Sequence, residues 1–394
     1  MERLVEDSKI IKDIYNGENE KLLELFPNVN FNLLESYYNS KFIENEFLLK
    51  LATDMNYLNC GELMDVLIKI KHSNISIKSL SEDLIREITE LDKFIQVACG
   101  DRSSIALKKD GTFVVFDNYT NEKKYDSLPF KDRKYIAITC MAFNAIGLRS
   151  DGTVVFWNMH DWGNRKYSSY SRYNGYIDIA CGTRHYVALR KDGTVVTWGN
   201  NNFGQMNDSP TENGYIAIAC GEYHSVALKN DGSVVTWGNM FNQKKDISSI
   251  EGNKFIKIAC GSYHSIALTK EGRIAIWGNN DANQRDGIPK SDGFIAIACG
   301  EYHSLALRED GSVVTWGYPS RLEWYSPVGG YIAITCGGYH SGALHKDGSI
   351  KTWRENNFLI NSTEKVYIAI SCGVTHSIAL RNDGTIYIFG RRYN

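Results

Sequence analysis

An internal repeat limits the folds that are open to this chain, and Tyr215–Gly238 (YIAIACGEYHSVALKNDGSVVTWG) is a clear copy of it. The segment recurs with substitutions from about residue 94 to the end of the chain, and its eight copies begin at Phe94, Tyr135, Tyr176, Tyr215, Phe255, Phe294, Tyr331 and Tyr367. Successive copies start about 36 to 41 residues apart, a period typical of stacked or radially arranged units. We therefore expect one small structural unit to be built eight times.

Each copy has the pattern of three short strands. In the copy that begins at residue 215, these strands are Tyr215–Cys220, Ser225–Leu228 and Val234–Trp237. Asn230-Asp231-Gly232 predicts the turn between the second and third strands, because Asp-Gly suits the positive φ angles of a tight hairpin. Gly221 ends the first strand, either because no Cβ fits there or because the backbone must turn back.

Composition excludes several classes of function. A content of 43% hydrophobic and 23% charged residues is typical of a soluble globular protein, and the net charge of -2 provides no basic field for nucleic acid or anionic membrane. The first residues, MERLVEDSKIIKD, lack the apolar stretch of a secretory signal, and no apolar run approaches the ~20 residues that span a bilayer. We expect an intracellular protein, cytoplasmic or nuclear. Its richness in Asn, Ile, Lys and Tyr is typical of an AT-rich genome, such as that of a large DNA virus or a protist.

Cysteine occurs once per copy, which favours a packing role over a disulfide framework. Eight of the nine cysteines occupy the same place in the eight copies, and only Cys60 lies outside them. A free cysteine behaves as a small buried hydrophobe and suits a strand flanked by Ala and Gly. Without a secretory route, we expect free thiols.

Residues 1–93 contain no copy of the repeat and show the apolar spacing of short helices. Three segments, LFPNVN (Leu25–Asn30), LLKLATDMNYLNCGELMDVLIKIK (Leu48–Lys71) and SLSEDLIREI (Ser79–Ile88), resemble in order the Skp-type adaptor, which has a BTB/POZ-related fold. The resemblance implies a cullin or F-box-type partner for this module. The alternative is a generic helical cap on the repeats.

The copies themselves, ACG-x2-HS-x-AL-x2-DG-x-VVTWG, strongly resemble the regulator-of-chromosome-condensation repeat family. The resemblance implies a β-propeller at residues 94–394, preceded by the small all-α module at residues 1–93. Closing a ring also removes exposed sheet edges, which independently favours a propeller. Family members usually have seven blades, whereas this chain has eight copies, so seven and eight blades both remain open. The first two copies are degenerate, with Ser103 and Asn144 at the histidine position.

Residues that recur once per copy are interpreted as structural. Cys-x3-His could suggest a metal site, but each pair lies in a different copy, whereas zinc needs about four converging ligands. We expect each histidine to stabilise a turn within its blade by hydrogen bonds to backbone, and each tryptophan to pack in the core or between blades. The central set of these residues is Cys181, His185, Trp198, Cys220, His224, Trp237, Cys260, His264, Trp277, Cys299, His303 and Trp316.

No motif indicates catalysis, a metal or a cofactor. The chain has no nucleophile elbow, no phosphate-binding loop and no HExxH motif, and its Asp-Gly pairs are explained as turn formers. Recognition is therefore expected in the variable connectors between copies, since loops on a rigid scaffold commonly bind partners. Trp162, Arg321, Trp324 and Tyr325 lie in these connectors and are residue types enriched at binding hot spots, although packing against neighbouring blades explains them equally well.

These observations predict a non-enzymatic scaffold for protein–protein interactions. The leading hypothesis is a ubiquitin-ligase adaptor or substrate receptor. In this hypothesis, residues 1–93 bind a ligase component and the propeller loops bind an unknown target. The propeller family implies an alternative, a guanine-nucleotide exchange factor or regulator of a small GTPase. The founding member of that family uses an inserted wedge and a basic tail, and neither is seen here. A third interpretation is a propeller that sequesters or inhibits its partner.

Overall fold

The repeats form eight small antiparallel sheets, one for each copy. The computed structural model describes residues 90, 92–101, 103–117, 123–126, 135–142, 144–158, 169–170, 174–239, 254–318, 324–325, 329–354 and 357–390. Every complete secondary-structure element in these ranges is a β-strand, so the described part of the chain is mainly β. The helical module predicted at residues 1–93 lies almost entirely outside these ranges and stays a prediction.

Each sheet is an up-and-down meander in which the strands pair in chain order. The first strands are β1 (Phe94–Cys99), β5 (Tyr135–Met141), β9 (Tyr176–Cys181), β12 (Tyr215–Cys220), β15 (Phe255–Cys260), β18 (Phe294–Cys299), β22 (Tyr331–Cys336) and β26 (Tyr367–Cys372). The second strands are β2 (Ser103–Lys108), β6 (Asn144–Arg149), β10 (His185–Arg190), β13 (His224–Lys229), β16 (His264–Thr269), β19 (His303–Arg308), β23 (Ser341–His345) and β27 (His376–Arg381).

The third strands carry the Trp-Gly ends of the copies. They are β3 (Phe113–Asp117), β7 (Val154–Asn158), β11 (Val195–Gly199), β14 (Val234–Gly238), β17 (Ile274–Gly278), β20 (Val313–Gly317), β24 (Ile350–Arg354) and β28 (Ile386–Gly390). Four sheets gain a fourth strand that the three-strand pattern did not predict. These strands, all from the connectors, are β4 (Lys123–Asp126), β8 (Ser169–Tyr170), β21 (Trp324–Tyr325) and β25 (Asn357–Ser362).

The predicted Asp-Gly turns are present, and the two residues have different roles. In the fourth sheet the Gly232 amide donates to the Lys229 carbonyl at 3.0 Å, and Gly232 alone of the pair has a positive φ, of 86°. The Asp231 carboxylate accepts hydrogen bonds from the Ser233 amide at 2.8 Å and the Ser233 hydroxyl at 2.6 Å. Aspartate therefore stabilises the turn through its side chain, while glycine supplies the left-handed backbone.

A β-bulge at the start of each first strand from β5 to β26 leaves one isoleucine unpaired. Tyr215 pairs with Lys229 and Ala217 pairs with Leu228, so Ile216 between them has no partner in the ladder. Ile216 is 56% exposed, whereas Tyr215 beside it is buried. A bulge turns its extra residue out of the ladder, which explains an exposed apolar residue in an otherwise buried strand.

The hydrophobic core lies between neighbouring sheets. Val226 and Leu228 of the fourth sheet pack with Phe255, Ala267 and Trp277 of the fifth in one cluster of buried residues. Equivalent clusters join the other neighbouring sheets from the second round to the first, so the second strands from β10 to β27 are buried against the sheets on both sides. No sheet could bury its apolar residues alone, and the repeats consequently depend on their neighbours.

The eight sheets are arranged in a closed ring. Contacts divide the chain into two compact units, of which one (Phe94–Leu107, Phe113–Asp126 and Lys134–Asn394) carries the sheets. Within it, first strands pack against first strands in chain order from β1 to β26, and β26 packs against β1. The Phe94 amide also donates to the Gly384 carbonyl at 2.9 Å, joining the first and eighth sheets. This arrangement is that of an eight-bladed propeller and decides between the seven and eight blades that the sequence allowed.

Candidate functional site

The repeated histidines link one sheet to the next, which differs from the bond to backbone within a blade that we predicted. The Nε2 atom of His224, at the start of β13, shares a hydrogen bond of 2.7 Å with the hydroxyl of Ser265 in the following sheet. Both side chains are buried. Six such pairs occur among the described residues: His185–Ser225, His224–Ser265, His264–Ser304, His303–Ser341, His340–Ser377 and His376–Ser104, at 2.6 to 2.8 Å.

Burial keeps these histidines neutral. Removal from water lowers the pKa of His224, His264 and His376 to about 3 and that of His185, His303 and His340 to about 4. A neutral imidazole with a hydroxyl partner suits a dry interface between sheets, since a charged one would lose its hydration there. The pairs therefore stabilise the ring and have no access to a substrate.

The repeated cysteines are free thiols beside the same serines. The Sγ atom of Cys220 lies 3.6 Å from the Ser225 hydroxyl, and that of Cys260 lies 3.5 Å from the Ser265 hydroxyl. All eight cysteines that the structure describes are free. Burial raises the pKa of Cys260 to about 12, so the reactive thiolate is scarce at neutral pH.

The repeated tryptophans lie between sheets. Trp277 is fully buried, and its indole N–H donates to the Thr236 hydroxyl of the preceding sheet at 3.1 Å. Trp237 and Trp316 are buried in the equivalent clusters, and Trp198 packs partly buried against another.

The described residues include no group of three or more side chains that could hold a metal ion, and no helix within them could span a bilayer.

Two of the four predicted partner-binding residues can be located. Trp324 and Tyr325 form β21 and pair through their backbones with Thr315 and Val314 of β20. Trp162 and Arg321 lie outside the described residues.

The structure shows a different aromatic surface, on the loops that join first and second strands. Four consecutive sheets, the fourth to the seventh, carry a tyrosine immediately before the repeated histidine position. We call this surface, together with two aromatic residues that follow third strands, the tyrosine face: Tyr223, Tyr263, Tyr302, Tyr339, Phe203 and Tyr318.

The rings of the tyrosine face touch across sheet boundaries. The Tyr302 ring centroid lies 6.2 Å from that of Tyr263 and 5.9 Å from that of Tyr339, with an interplanar angle of 36° in both pairs. Tyr318 meets Tyr302 edge-on at 6.4 Å. The Phe203 ring centroid lies 5.0 Å from that of Tyr223. Phe203, Tyr318 and Tyr339 are 44%, 52% and 38% exposed, so a partner can reach this aromatic tract.

Backbone hydrogen bonds hold the loops of this face. The Glu222 amide donates to the Ser262 carbonyl of the next sheet at 3.0 Å, and the Gly338 amide donates to the Gly373 carbonyl at 3.0 Å. The Tyr318 amide donates to the Tyr302 carbonyl at 3.0 Å. The first two bonds tie a loop to the next sheet and the third lies within the sixth sheet, so the tyrosines are held on a rigid support.

Two glutamates lie among the tyrosines. Glu222 accepts hydrogen bonds from the hydroxyls of Tyr223 and Tyr263, and these bonds, after burial, raise the pKa of both phenols. Burial likewise raises the pKa of Glu301, and the charges of Glu222 and Asp101 add to that effect, against a hydrogen bond from Tyr302 that lowers it. The site is therefore an aromatic tract in which two carboxylates interact with the tyrosines.

Comparison with known families now agrees with the repeat pattern. The profile described as "Regulator of chromosome condensation (RCC1) repeat" matches residues 176–205, 215–243, 255–284, 294–321 and 367–394. These five segments of the chain match the RCC1 repeat. The matches fall in the third to sixth and the eighth sheets, and none covers residues 1–93, where we expected an adaptor module. No curated protein matches the chain by sequence.

Two solved structures share the fold of these repeats, and a third is reported beside them. The ectodomain of the receptor kinase CR4 from Physcomitrella patens is 21% identical, with a TM-score of 0.51 over 67% of this chain and 74% of that one. The computationally designed protein Ika8 is 16% identical, with a TM-score of 0.50 over 76% of this chain and 97% of that one. Prp20p from Saccharomyces cerevisiae, studied for its binding to Gsp1p and histones, is 17% identical over 74% of this chain and 84% of that one, with a TM-score of 0.47.

The tyrosine face escaped the sequence analysis because recognition was sought in the connectors. A signal was present, since the copies that form the fourth to seventh sheets all have tyrosine before the histidine, whereas the third has Arg184 and the eighth Thr375. A residue type confined to consecutive repeats indicates a local surface, because core positions recur in every repeat.

Proposed function

We propose that this protein is a non-enzymatic binding module whose tyrosine face engages a protein partner. The observation that carries the proposal is the contiguous contact of Tyr263, Tyr302 and Tyr339 across three sheets, next to exposed Tyr318. Tyrosine buries a large area at low entropic cost and is enriched at interface hot spots. A rigid ring that presents such residues on loops suits recognition.

Affinity capture with the full chain tests the proposal. Proteins captured by the wild-type chain are expected to be lost with Tyr302→Ala, because its ring contacts both neighbouring tyrosines. Ile332→Ala is the matched control, since Ile332 is 59% exposed and lies at the opposite end of the first strand of the seventh sheet. An identical set of captured proteins for all three chains would refute the proposal.

The RCC1 repeats support a second candidate, regulation of a small GTPase, through the family resemblance alone. The chain would then accelerate release of labelled GDP from a member of a GTPase panel, and Tyr302→Ala would slow that release if the tyrosine face were the contact surface. Unchanged release across the panel would remove this candidate and leave the binding module intact.

The ubiquitin-ligase adaptor stays a proposal that rests on the sequence resemblance of residues 1–93. Calorimetry of the full chain with the N-terminal domain of a cullin tests it. Saturable binding that Tyr302→Ala leaves unchanged would support a separate ligase-binding module. Absence of heat would remove the adaptor role, with a generic helical cap as the remaining interpretation.

A further inference from the structure

Carboxylates act on one another at the tyrosine face. Glu301 is half-buried, and the charged groups that act on it most strongly are two other carboxylates, Glu222 and Asp101. Both glutamates act on Tyr263: its hydroxyl bonds to Glu222, and the charge of Glu301 also raises its pKa. Negative charges brought together in a partly buried surface repel each other, and a bound cation would relieve that repulsion.

The aromatic rings are suited to the same kind of ligand. At one end of the tract the guanidinium of Arg354 already lies over the Tyr339 ring, 5.5 Å from its centroid. At the other end the positive charge of Arg184 acts on Tyr223. The two ends of the aromatic tract thus already interact with arginines of this protein. The carboxylates act on the middle of the tract, at Tyr263 and Tyr302. A tyrosine face attracts lysine and arginine through its ring electrons.

The spacing of the rings fits an extended chain. Neighbouring tyrosine centroids are 6.2 and 5.9 Å apart. Alternate residues of an extended strand lie about 6.6 Å apart, so successive side chains on one side of a strand could meet successive rings. A compact metal ion would fit less well, because the described residues contain no cluster of three or more candidate ligands.

We propose that the tyrosine face binds an extended, lysine- or arginine-bearing segment of a partner protein, with one cationic side chain held by Glu222 and Glu301 over the rings of Tyr263 and Tyr302. This inference rests on the proposed function and specifies the chemistry of its partner. The rings supply stacking area, and the carboxylates select positive charge.

Peptide binding to the full chain tests the inference. Four fluorescein-labelled peptides of five repeats each, Gly-Lys, Gly-Arg, Gly-Gln and Gly-Glu, are titrated and followed by fluorescence anisotropy. The Lys and Arg peptides are expected to bind at least about tenfold more tightly than the Gln peptide, and the Glu peptide is expected to bind most weakly. Glu222→Gln and Glu301→Gln are each expected to weaken binding of the basic peptides about tenfold, as loss of a charge-assisted bond does. Tyr302→Leu, which keeps an apolar side chain, is expected to weaken it as well.

Glu271→Gln is the matched control. Glu271 is an exposed acid in the turn between β16 and β17, so its loss changes the net charge equally without touching the tyrosine face. Equal binding of basic and neutral peptides, or equal losses with Glu301→Gln and Glu271→Gln, would overturn the inference. If that occurs while Tyr302→Ala still abolishes protein capture, the binding module survives with a partner of other chemistry. If the mutations reduce neither peptide binding nor protein capture, both this inference and the proposed binding module are refuted.

Discussion

At the scale of single residues, the histidine–serine pair explains a pattern within the chain. Where the histidine is replaced by Ser103 in the first sheet, the serine of the second sheet is replaced by Ala145. Where it is replaced by Asn144 in the second sheet, the serine of the third is replaced by Tyr186. Each partner is absent where the other is absent, because the bond connects neighbouring sheets. Asn144 instead donates to the Thr183 carbonyl of the next sheet.

The neutral histidines predict loss of stability in mild acid. Their folded pKa values, about 3 to 4, lie below the ordinary value of 6.5, so below pH 6.5 the unfolded chain takes up protons that the folded chain cannot bind. Stability is fully present above that value and falls as the pH drops towards 4. Each histidine contributes up to about 1.4 kcal/mol per pH unit.

Urea unfolding at several pH values between 7.5 and about 5 checks this prediction, since most carboxylates are still ionised there. His224→Asn should lower stability at pH 7.5 and reduce the pH slope, because one protonation site is removed. A midpoint that does not change between these pH values would contradict the assignment of neutral buried histidines.

At the scale of the element, the loop after the first strand depends on glycine for lack of space. A Cβ built on Gly221 would lie 2.2 Å from Cε1 of His224 and 2.5 Å from the Gly261 carbonyl oxygen. Its φ is not in the left-handed region, so of the two explanations that the sequence left open, the absence of room for a Cβ is correct. The imidazole ring of His224 packs against Gly221, and the backbone of the next sheet packs against the same glycine.

Two glycine substitutions separate crowding from backbone strain. Gly221→Ala is expected to lower the free energy of unfolding by about 3 kcal/mol or more, because both a ring and a backbone oxygen must move. Gly293→Ala should cost about 1 kcal/mol, since Gly293 has a φ of +83° but nothing within 4 Å of its built Cβ. Urea midpoints measure both. Equal losses for the two variants would show that close packing at Gly221 is not the dominant constraint.

At the scale of the whole molecule, one pair joins the ends of the repeat array. The Ser104 hydroxyl and His376 Nε2 are 2.6 Å apart although they are 272 positions apart in the sequence. Ser104 keeps the serine in a degenerate first copy because its partner belongs to the eighth. In a ring of eight sheets, the residue type at position 104 therefore depends on a contact with the eighth sheet and not on its own repeat.

Ring closure predicts energetic coupling between these two residues. In a double-mutant cycle of Ser104→Ala and His376→Ala, the coupling is expected to be about 1 kcal/mol, similar to that of Ser265→Ala with His224→Ala. Urea unfolding of the four chains in each cycle gives the values. Coupling in the His224 cycle with none in the His376 cycle would show that the first and eighth sheets do not meet in solution.

The number of units, their strands and their turns could be read from the sequence, because apolar alternation and Asp-Gly pairs are local signals. The fourth strands could not be predicted, since they come from connectors such as Trp324–Tyr325 that share no pattern between copies.

The contacts between repeats follow from the three-dimensional arrangement of the sheets. A period along the chain specifies each unit but not the unit beside it, so the partner of His224, the closure at eight and the contact of Tyr263 with Tyr302 required the sheets to be placed together. Residue types within one repeat determine its strands through local sterics and burial. Recognition surfaces and ring closure arise from side chains that meet across sheets, and no local pattern encodes those distances.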